Sequence, residues 1–314
     1  DPAGVRAEPG GEITVDTQVL QHVPTLGGLY AQALARQAGA LVRRSEPGSQ
    51  LPNVAYEVYG VQVGVEHLTA YQHLVGERAD DVLPAGYVHV VGFPVAVAVM
   101  ARPDFPLPLL GLVHIANQVE YSRPLRVGTP LRVRAWAQNL AAHNRGTQVE
   151  LVLEVGTQGD HADWVAWRGV STYLARGLRM PGLPEAEAAA RVEDDHPIPT
   201  AHWELTPSTG REYAKISGDI NPIHTSALGA KAFGFPRAIA HGMYTASRAL
   251  AEVGPGRGQA FRWTVDFAAP VLLPGRVNVA ITRQQRARGT NGPHVFTYRG
   301  WGSKLNFTGR VDPI

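Results

Sequence analysis

The sequence predicts an α+β protein in which one plan is used twice: a curved antiparallel sheet wrapped around a long central helix. Three observations carry that prediction. Val119-Glu120-Tyr121-Ser122-Arg123-Pro124-Leu125 matches Val265-Asp266-Phe267-Ala268-Ala269-Pro270-Val271, and Leu131 and Val133 fall on Val277 and Val279 in the same register. Each copy of that string follows a long apolar helical stretch and leads a set of alternating, strand-like runs. Between the copies, Pro181, Pro184, Pro197 and Pro199 enclose an acidic, Ala-rich stretch that reads as a linker. The expected units are therefore residues 12–180, a linker at 181–200, and residues 201–314.

In chain order, residues 12–45 mix a strand with an Ala-rich helix near Leu29–Arg43. Pro47–Asn53 is a turn-rich break. Val54–Glu66 alternates, with Tyr56, Val58, Val61, Val63 and Val65 apolar, and reads as strand. Gly86–Ala101 is apolar on nearly every side, as a helix buried on most faces must be. Strand-like runs follow at Gly111–Tyr121, Leu131–Asn139, Gln148–Val155 and Trp164–Leu174, with turns expected at Asn144-Arg145-Gly146 and Gln158-Gly159-Asp160. In the second unit, Thr209-Gly210-Arg211-Glu212 fits a capping box. A long helix is expected near Ala240–Val253. Strands are expected at Gln259–Ala268, Val271–Arg283, His294–Trp301 and Lys304–Val311, with a hairpin at Asn291-Gly292.

Composition narrows the function classes. Of 314 residues, 44% are hydrophobic and 18% charged, enough apolar material for a sizeable core. Lys plus Arg is 29 against 27 Asp plus Glu, a balance that argues against a dedicated nucleic-acid binder. With no cysteine, disulfides, thiolate nucleophiles and Cys-ligated metals are excluded. The apolar run Val88–Ala101 is too short for a membrane span of about 20 residues. Residues 1–11 carry no apolar leader core. The expectation is a soluble, cytoplasmic protein.

The segment richest in chemistry is Tyr213-Ala214-Lys215-Ile216-Ser217-Gly218-Asp219-Ile220-Asn221-Pro222-Ile223-His224. On an unbroken helix, Asp219 and His224 would point about 140° apart. Gly218 and Pro222 interrupt it, and Asn221-Pro222 suits an N-cap followed by a first helical position. Such a helix–loop–helix turns a carboxylate and an imidazole toward one cavity, and together they are an acid–base set that needs no metal. A second element, Ala238-Ile239-Ala240-His241-Gly242-Met243, places Gly242 at a helix start, where its N–H can receive an oxyanion. Met243, Ala246, Leu250 and Val253 recur at core spacing. Ser247 either hydrogen-bonds in the pocket or back-bonds to its own helix.

Ser217-Gly218-Asp219-Ile220-Asn221-Pro222-Ile223-His224, followed by Ala240-His241-Gly242-Met243, resembles the hydratase-2 motif of the MaoC-like, (R)-specific enoyl-CoA hydratase and 3-hydroxyacyl-thioester dehydratase family. The resemblance implies a double hotdog fold and reversible hydration of trans-2-enoyl thioesters to (R)-3-hydroxyacyl thioesters in fatty-acid metabolism. It implies Asp219 and His224 as the catalytic dyad, Asn221 and Ser247 as positioning residues, and Gly242 as the oxyanion donor. No cofactor and no metal is implied. The partner is an acyl-CoA or acyl-carrier-protein thioester, and the chain is a monomer or homodimer. A hotdog thioesterase and a non-catalytic acyl-CoA-binding protein are the alternatives; the intact Asp-x-Asn-Pro-x-His string favours the hydratase.

The first unit departs from the motif. Tyr71 and Gly76 match Tyr213 and Gly218, and Glu77 stands near the place of Asp219, but no Asn-Pro-x-His follows. That unit is expected to have lost catalysis and to hold an acyl chain beside small and apolar residues such as Ala96, Ala98 and Leu112. Lys231, Arg237 and Arg248 are candidate contacts for carrier phosphates, and Arg283, Arg286 and Arg288 form a second basic cluster. His67, His73, His89 and His114 lack ligand spacing and read as structural.

Overall fold

The computed structural model describes residues 15–43, 50–159, 163–186, 196–284 and 292–314, with backbone alone for 37–43. The chain opens with β1 (Asp16–Leu20) and α1 (Leu26–Arg43). The first unit then runs β2 (Val54–Val61), α2 (Val65–Val75), α3 (Ala85–Met100), β3 (Val113–Tyr121), β4 (Leu131–His143), β5 (Gly146–Thr157) and β6 (Val165–Arg176). The second runs β7 (Ala201–Leu205), α4 (Thr209–Ser217), α5 (Pro222–Thr225), α6 (Ala227–Ala232), α7 (Gly242–Val253), β8 (Phe261–Phe267), β9 (Gly275–Arg283), β10 (Phe296–Trp301) and β11 (Leu305–Pro313).

The strand order is β1-β2-β4-β5-β6-β3-β8-β11-β10-β9-β7. Leaving out β1, which pairs parallel with β2, the order reads the same from either end once each strand is replaced by its counterpart. The two sheets expected from the sequence are joined edge to edge through antiparallel β3 and β8 into one sheet of eleven strands. At that seam Gln118 pairs with Thr264, and Gln118 is the residue the sequence repeat equates with Thr264. A two-fold relation between the units therefore passes through this pair. This is the double hotdog architecture.

α3 is buried along almost its whole length, from Ala85 to Met100, and lies against β2, β4 and β5. Its all-round apolar sequence leaves no face that could be solvated, so it is a central helix. Trp167, Trp203 and Trp263 are among the largest fully buried side chains and belong to the main hydrophobic core. Among the described residues, no helix is long and apolar enough to cross a membrane.

Three local expectations are corrected. The run Val54–Glu66 is not one strand. β2 shifts register between Val58 and Val61, Gly60 adopts φ 70°, and Gly64 caps α2. The alternation of Val61, Val63 and Val65 concealed a helical stripe, since Leu68, Tyr71, Gln72 and Val75 are the buried face of α2. The expected capping box does not form: Ser208 is the N-cap, its hydroxyl donates to Glu212, and the Thr209 hydroxyl accepts from the Thr206 N–H. β9 begins at Gly275 rather than Val271, because Pro274 has no N–H to give a ladder. Asp160, Asn291, Arg286, Arg288 and residues 187–195 of the linker lie outside the described residues.

Candidate active site

α4 ends where Gly218 takes the left-handed conformation, φ 72°. The chain then turns through Asp219 and restarts as α5, where the Asn221 side chain accepts from the Ile223 N–H and Pro222 occupies the first turn. This is the helix–loop–helix predicted from Gly218 and Asn221-Pro222. The Asp219 N–H donates to the Ser217 hydroxyl at 3.1 Å. The turn and α7 bring Asp219, His224 and His241 together, with their donor atoms within 4.8 Å of one another. All three line a small cavity of about 50 Å³.

Each group's hydrogen bonds define its state. His224 Nδ1–H donates to the Ile239 carbonyl at 2.9 Å, leaving Nε2 as a bare acceptor. His241 Nε2–H donates to the Asp219 carbonyl at 2.9 Å, leaving Nδ1 buried and unpartnered. The Asp219 Oδ1 accepts from Tyr30 Oη at 2.6 Å and from the Asn221 N–H at 3.2 Å. Burial holds His224 below the ordinary imidazole value against the pull of Asp219. Burial, with His224 alongside, pushes His241 down to about 3. Burial pushes the Asp219 carboxyl up, but His241, His224, the Tyr30 hydroxyl and the Asn221 N–H together hold it below the usual carboxylate value. At neutral pH the site is thus one carboxylate and two neutral imidazoles.

The same trio has the spacing of a metal site, but its ring geometry is wrong for one. The His224 and His241 rings stack with centroids 3.8 Å apart and planes 26° apart. An ion about 2 Å from a ring nitrogen lies in that ring's plane, and two nearly parallel planes this far apart share no such point.

Gly242 opens α7 with His241 as N-cap, so its N–H sits among the unpaired donors of a helix start. A Cβ there would lie 2.9 Å from the Phe267 ring, so glycine also permits the close approach of helix and sheet. Gly242, His224 and His114 line both the small cavity and a groove of about 600 Å³, and so form the neck between them. The groove carries Arg145, Arg176, Arg237, Arg276 and Lys304 on its walls.

The other expected site residues are placed as follows. Asn221 is buried and lines the cavity. Ser247 does not line it; its hydroxyl packs on Gly86 and the Tyr71 hydroxyl where α7 meets α3. Of the candidate phosphate contacts, only Arg237 lines the groove. Lys231 is exposed on α6, and Arg248 lies over the Trp203 ring, 3.8 Å from Glu252. Arg283 is not among the groove residues.

The first unit contributes more to the site than its sequence suggested. His89 and His114 were expected to be structural, yet both line the cavity with Tyr30, Tyr173, Phe93 and Leu112. Burial pushes His89 down to about 4 and His114 to about 3. A lone His on the apolar α3 was the only signal for His89. Nothing in the sequence marked Tyr30, whereas His241 stood in the His-Gly pair of the motif. His67 is structural as expected: it accepts from the Tyr87 hydroxyl and donates to the Ile216 carbonyl.

Comparison with known proteins gives one consistent family. Residues 188–300 match the MaoC like domain. The chain is 36% identical over 250 residues to 3-hydroxyacyl-thioester dehydratase X of Mycobacterium tuberculosis, covering 79% of this chain and 86% of that protein. It is 39% identical over 82 residues to 3-hydroxybutyryl-CoA dehydratase of Methylorubrum extorquens, covering 25% of this chain and 52% of that one. The crystal structure of HtdX from Mycobacterium tuberculosis superposes with a TM-score of 0.69 at 31% identity, covering 83% of this chain and all of that one. With most of both chains matched and the Asp219–His224 loop folded as a unit, this chain belongs to the MaoC-like dehydratase family.

Proposed function

We propose that the protein catalyses reversible hydration of trans-2-enoyl thioesters to (R)-3-hydroxyacyl thioesters, with Asp219 and His224 as the catalytic pair. The observation that carries this is the pairing of a carboxylate with a bare imidazole nitrogen on one small cavity. Both are acceptors at neutral pH. A water donating one hydrogen to each has its lone pair free for C3 of the enoyl group. One of those protons is then returned to C2, so hydroxyl and hydrogen add to the same face. The enolate oxygen formed in between is held by the Gly242 N–H. Asn221 supports the carboxylate through its own N–H. Elimination of water is the same path reversed.

The first unit supplies walls rather than chemistry in this reading. Glu77, near the place of Asp219, is tied to Arg257 at 3.1 Å, each side chain only 12% exposed, so this carboxylate is not free to form a second dyad. The acyl tail lies against Val90, Phe93, Met100, Leu109 and Leu112. Of the residues expected there, Leu112 faces the cavity, whereas Ala96 and Ala98 are buried in the core. Phe93→Ala is expected to raise kcat/KM for a palmitoyl-length substrate relative to crotonyl by about tenfold; an acyl-CoA length series reads this directly.

The carrier lies in the cationic groove, where phosphates of coenzyme A or of a carrier protein's prosthetic arm meet Arg237, Arg276 and Lys304. Arg237→Ala with Arg276→Ala is expected to raise KM about tenfold at low salt with kcat little changed, and high salt narrows the difference. Loss of ultraviolet absorbance of crotonyl-CoA on hydration tests the whole reading. Thiol release without hydration would instead identify a thioesterase, and tight binding without turnover a binding protein.

A further inference from the structure

We propose that Tyr30, on a helix outside the repeated plan, is the positioning residue that orients Asp219 and leaves Oδ2 as the oxygen for the reacting water. Among the described residues α1 has no counterpart in the second unit, yet its buried stripe sits on the catalytic loop. Leu26 and Tyr30, one helical turn apart, are 7% and 6% exposed. Leu26 Cδ1 lies 2.6 Å from where a Cβ on Gly218 would stand, so α1 is packed directly over the left-handed turn that precedes Asp219. One turn on, Tyr30 Oη donates to Asp219 Oδ1 at 2.6 Å, a short charge-assisted bond between residues 189 positions apart.

Two donors, Tyr30 and the Asn221 N–H, are thus concentrated on Oδ1. Oδ2 lies 3.7 Å from His241 Nε2, whose proton is already committed to the Asp219 carbonyl. The two oxygens are therefore unequal, and Oδ2 is the one left to accept from water. Tyr30 also acts when the imidazoles cannot: His224 and His241 favour the carboxylate electrostatically only when protonated, whereas the Tyr30 and Asn221 hydrogen bonds persist with both rings neutral. Burial holds the Tyr30 phenol well above its ordinary value, with Asp219 adding to it, so it remains a donor throughout the working range.

This inference rests on the hydratase reading, and its test separates the two. Full-length wild type, Tyr30→Phe and Leu26→Ala are compared in crotonyl-CoA hydration. In parallel, the Asp219 carboxyl carbon is titrated by NMR in protein labelled at that carbon, the resonance being assigned by its absence from Asp219→Asn. For Tyr30→Phe the expected result is kcat about tenfold lower, KM within about twofold, and an Asp219 midpoint about one pH unit higher. Leu26→Ala is expected to lower Tm while leaving the midpoint in place, as loosened packing alone would. A Tyr30→Phe midpoint identical to wild type overturns the proposal, whatever kcat does. A raised midpoint in a protein whose wild type hydrates no enoyl thioester supports the Tyr30–Asp219 coupling and removes the hydratase reading instead.

Discussion

Asp219→Asn is expected to lower kcat for enoyl-thioester hydration by about a thousandfold while changing KM little, within the range of about 10²–10⁴ that a positioned acid–base group supplies. The substitution is close to isosteric. The amide oxygen can still accept from Tyr30 and the Asn221 N–H, so the loop's hydrogen bonds survive. What is lost is the negative charge and the basicity that take a proton from water. The fold favours the ionised carboxyl, so removing the charge forfeits that stabilisation and Tm is expected to fall modestly; kcat is read well below the melting range, where loss of folded protein does not contribute. His224→Gln is expected to cost a similar factor. The double variant is expected to lose little more than either single one, because both groups hold the same water and neither works without the other. Losses that multiply would mean that the two act on different steps. A single Asp219→Asn enzyme retaining a tenth of wild-type kcat would remove Asp219 from the chemistry.

How much of this arrangement was legible depended on whether the signal was local. The Gly218 stop, the Asn221 cap with Pro222 and the glycine opening α7 are each dictated by backbone conformation over a few residues, and the structure places them as read. The seam between units was legible through the repeat, since Gln118 and Thr264 are equivalent in sequence and paired in the sheet. Tyr30, His89 and His114 were not legible. Each reaches the cavity from an element in the other half of the chain, and nothing beside them in sequence distinguishes a wall residue from a core residue. Of the groove cations only Arg237 was legible, for a related reason. Arg145 and Arg176 come from the first unit, at the β4–β5 turn and the end of β6, and meet Arg237 and Arg276 only because the two units share one sheet. Proximity in sequence to the motif, which singled out Lys231, Arg237 and Arg248, found only Arg237 and is a poor guide to proximity in a fold built on pairing across units.

Acid is expected to destabilise the protein well above the range where carboxylates titrate. His89 and His241 are 6% and 3% exposed, and burial lowers them from 6.5 to about 4 and about 3. As pH falls through about 6.5, the unfolded chain binds a proton at each and the folded chain does not. Stability is therefore fully present above that value and is lost progressively down to the folded values. Between about pH 7 and 5.5 each such group removes about 1 kcal/mol. The pair therefore lowers Tm by about 5 °C, given a few degrees per kcal/mol for a chain of this size. His114 and His224, also lowered by burial, add in the same direction. Asp219 cannot mask the effect: its folded value lies below 3.8, so its stabilising contribution is intact throughout this window and lost only in stronger acid. Glu154 and Asp266, raised by burial, oppose the trend, but both remain partly solvated and act mainly nearer the carboxylate range. Calorimetry across this range checks the slope. His89→Phe, which keeps a ring against Phe93, is expected to flatten it by about one proton. A Tm constant from pH 7.5 to 5.5 would mean that these imidazoles are reached by water and charge freely, and His224 in a site so wetted would serve as the neutral acceptor only above about pH 6.5.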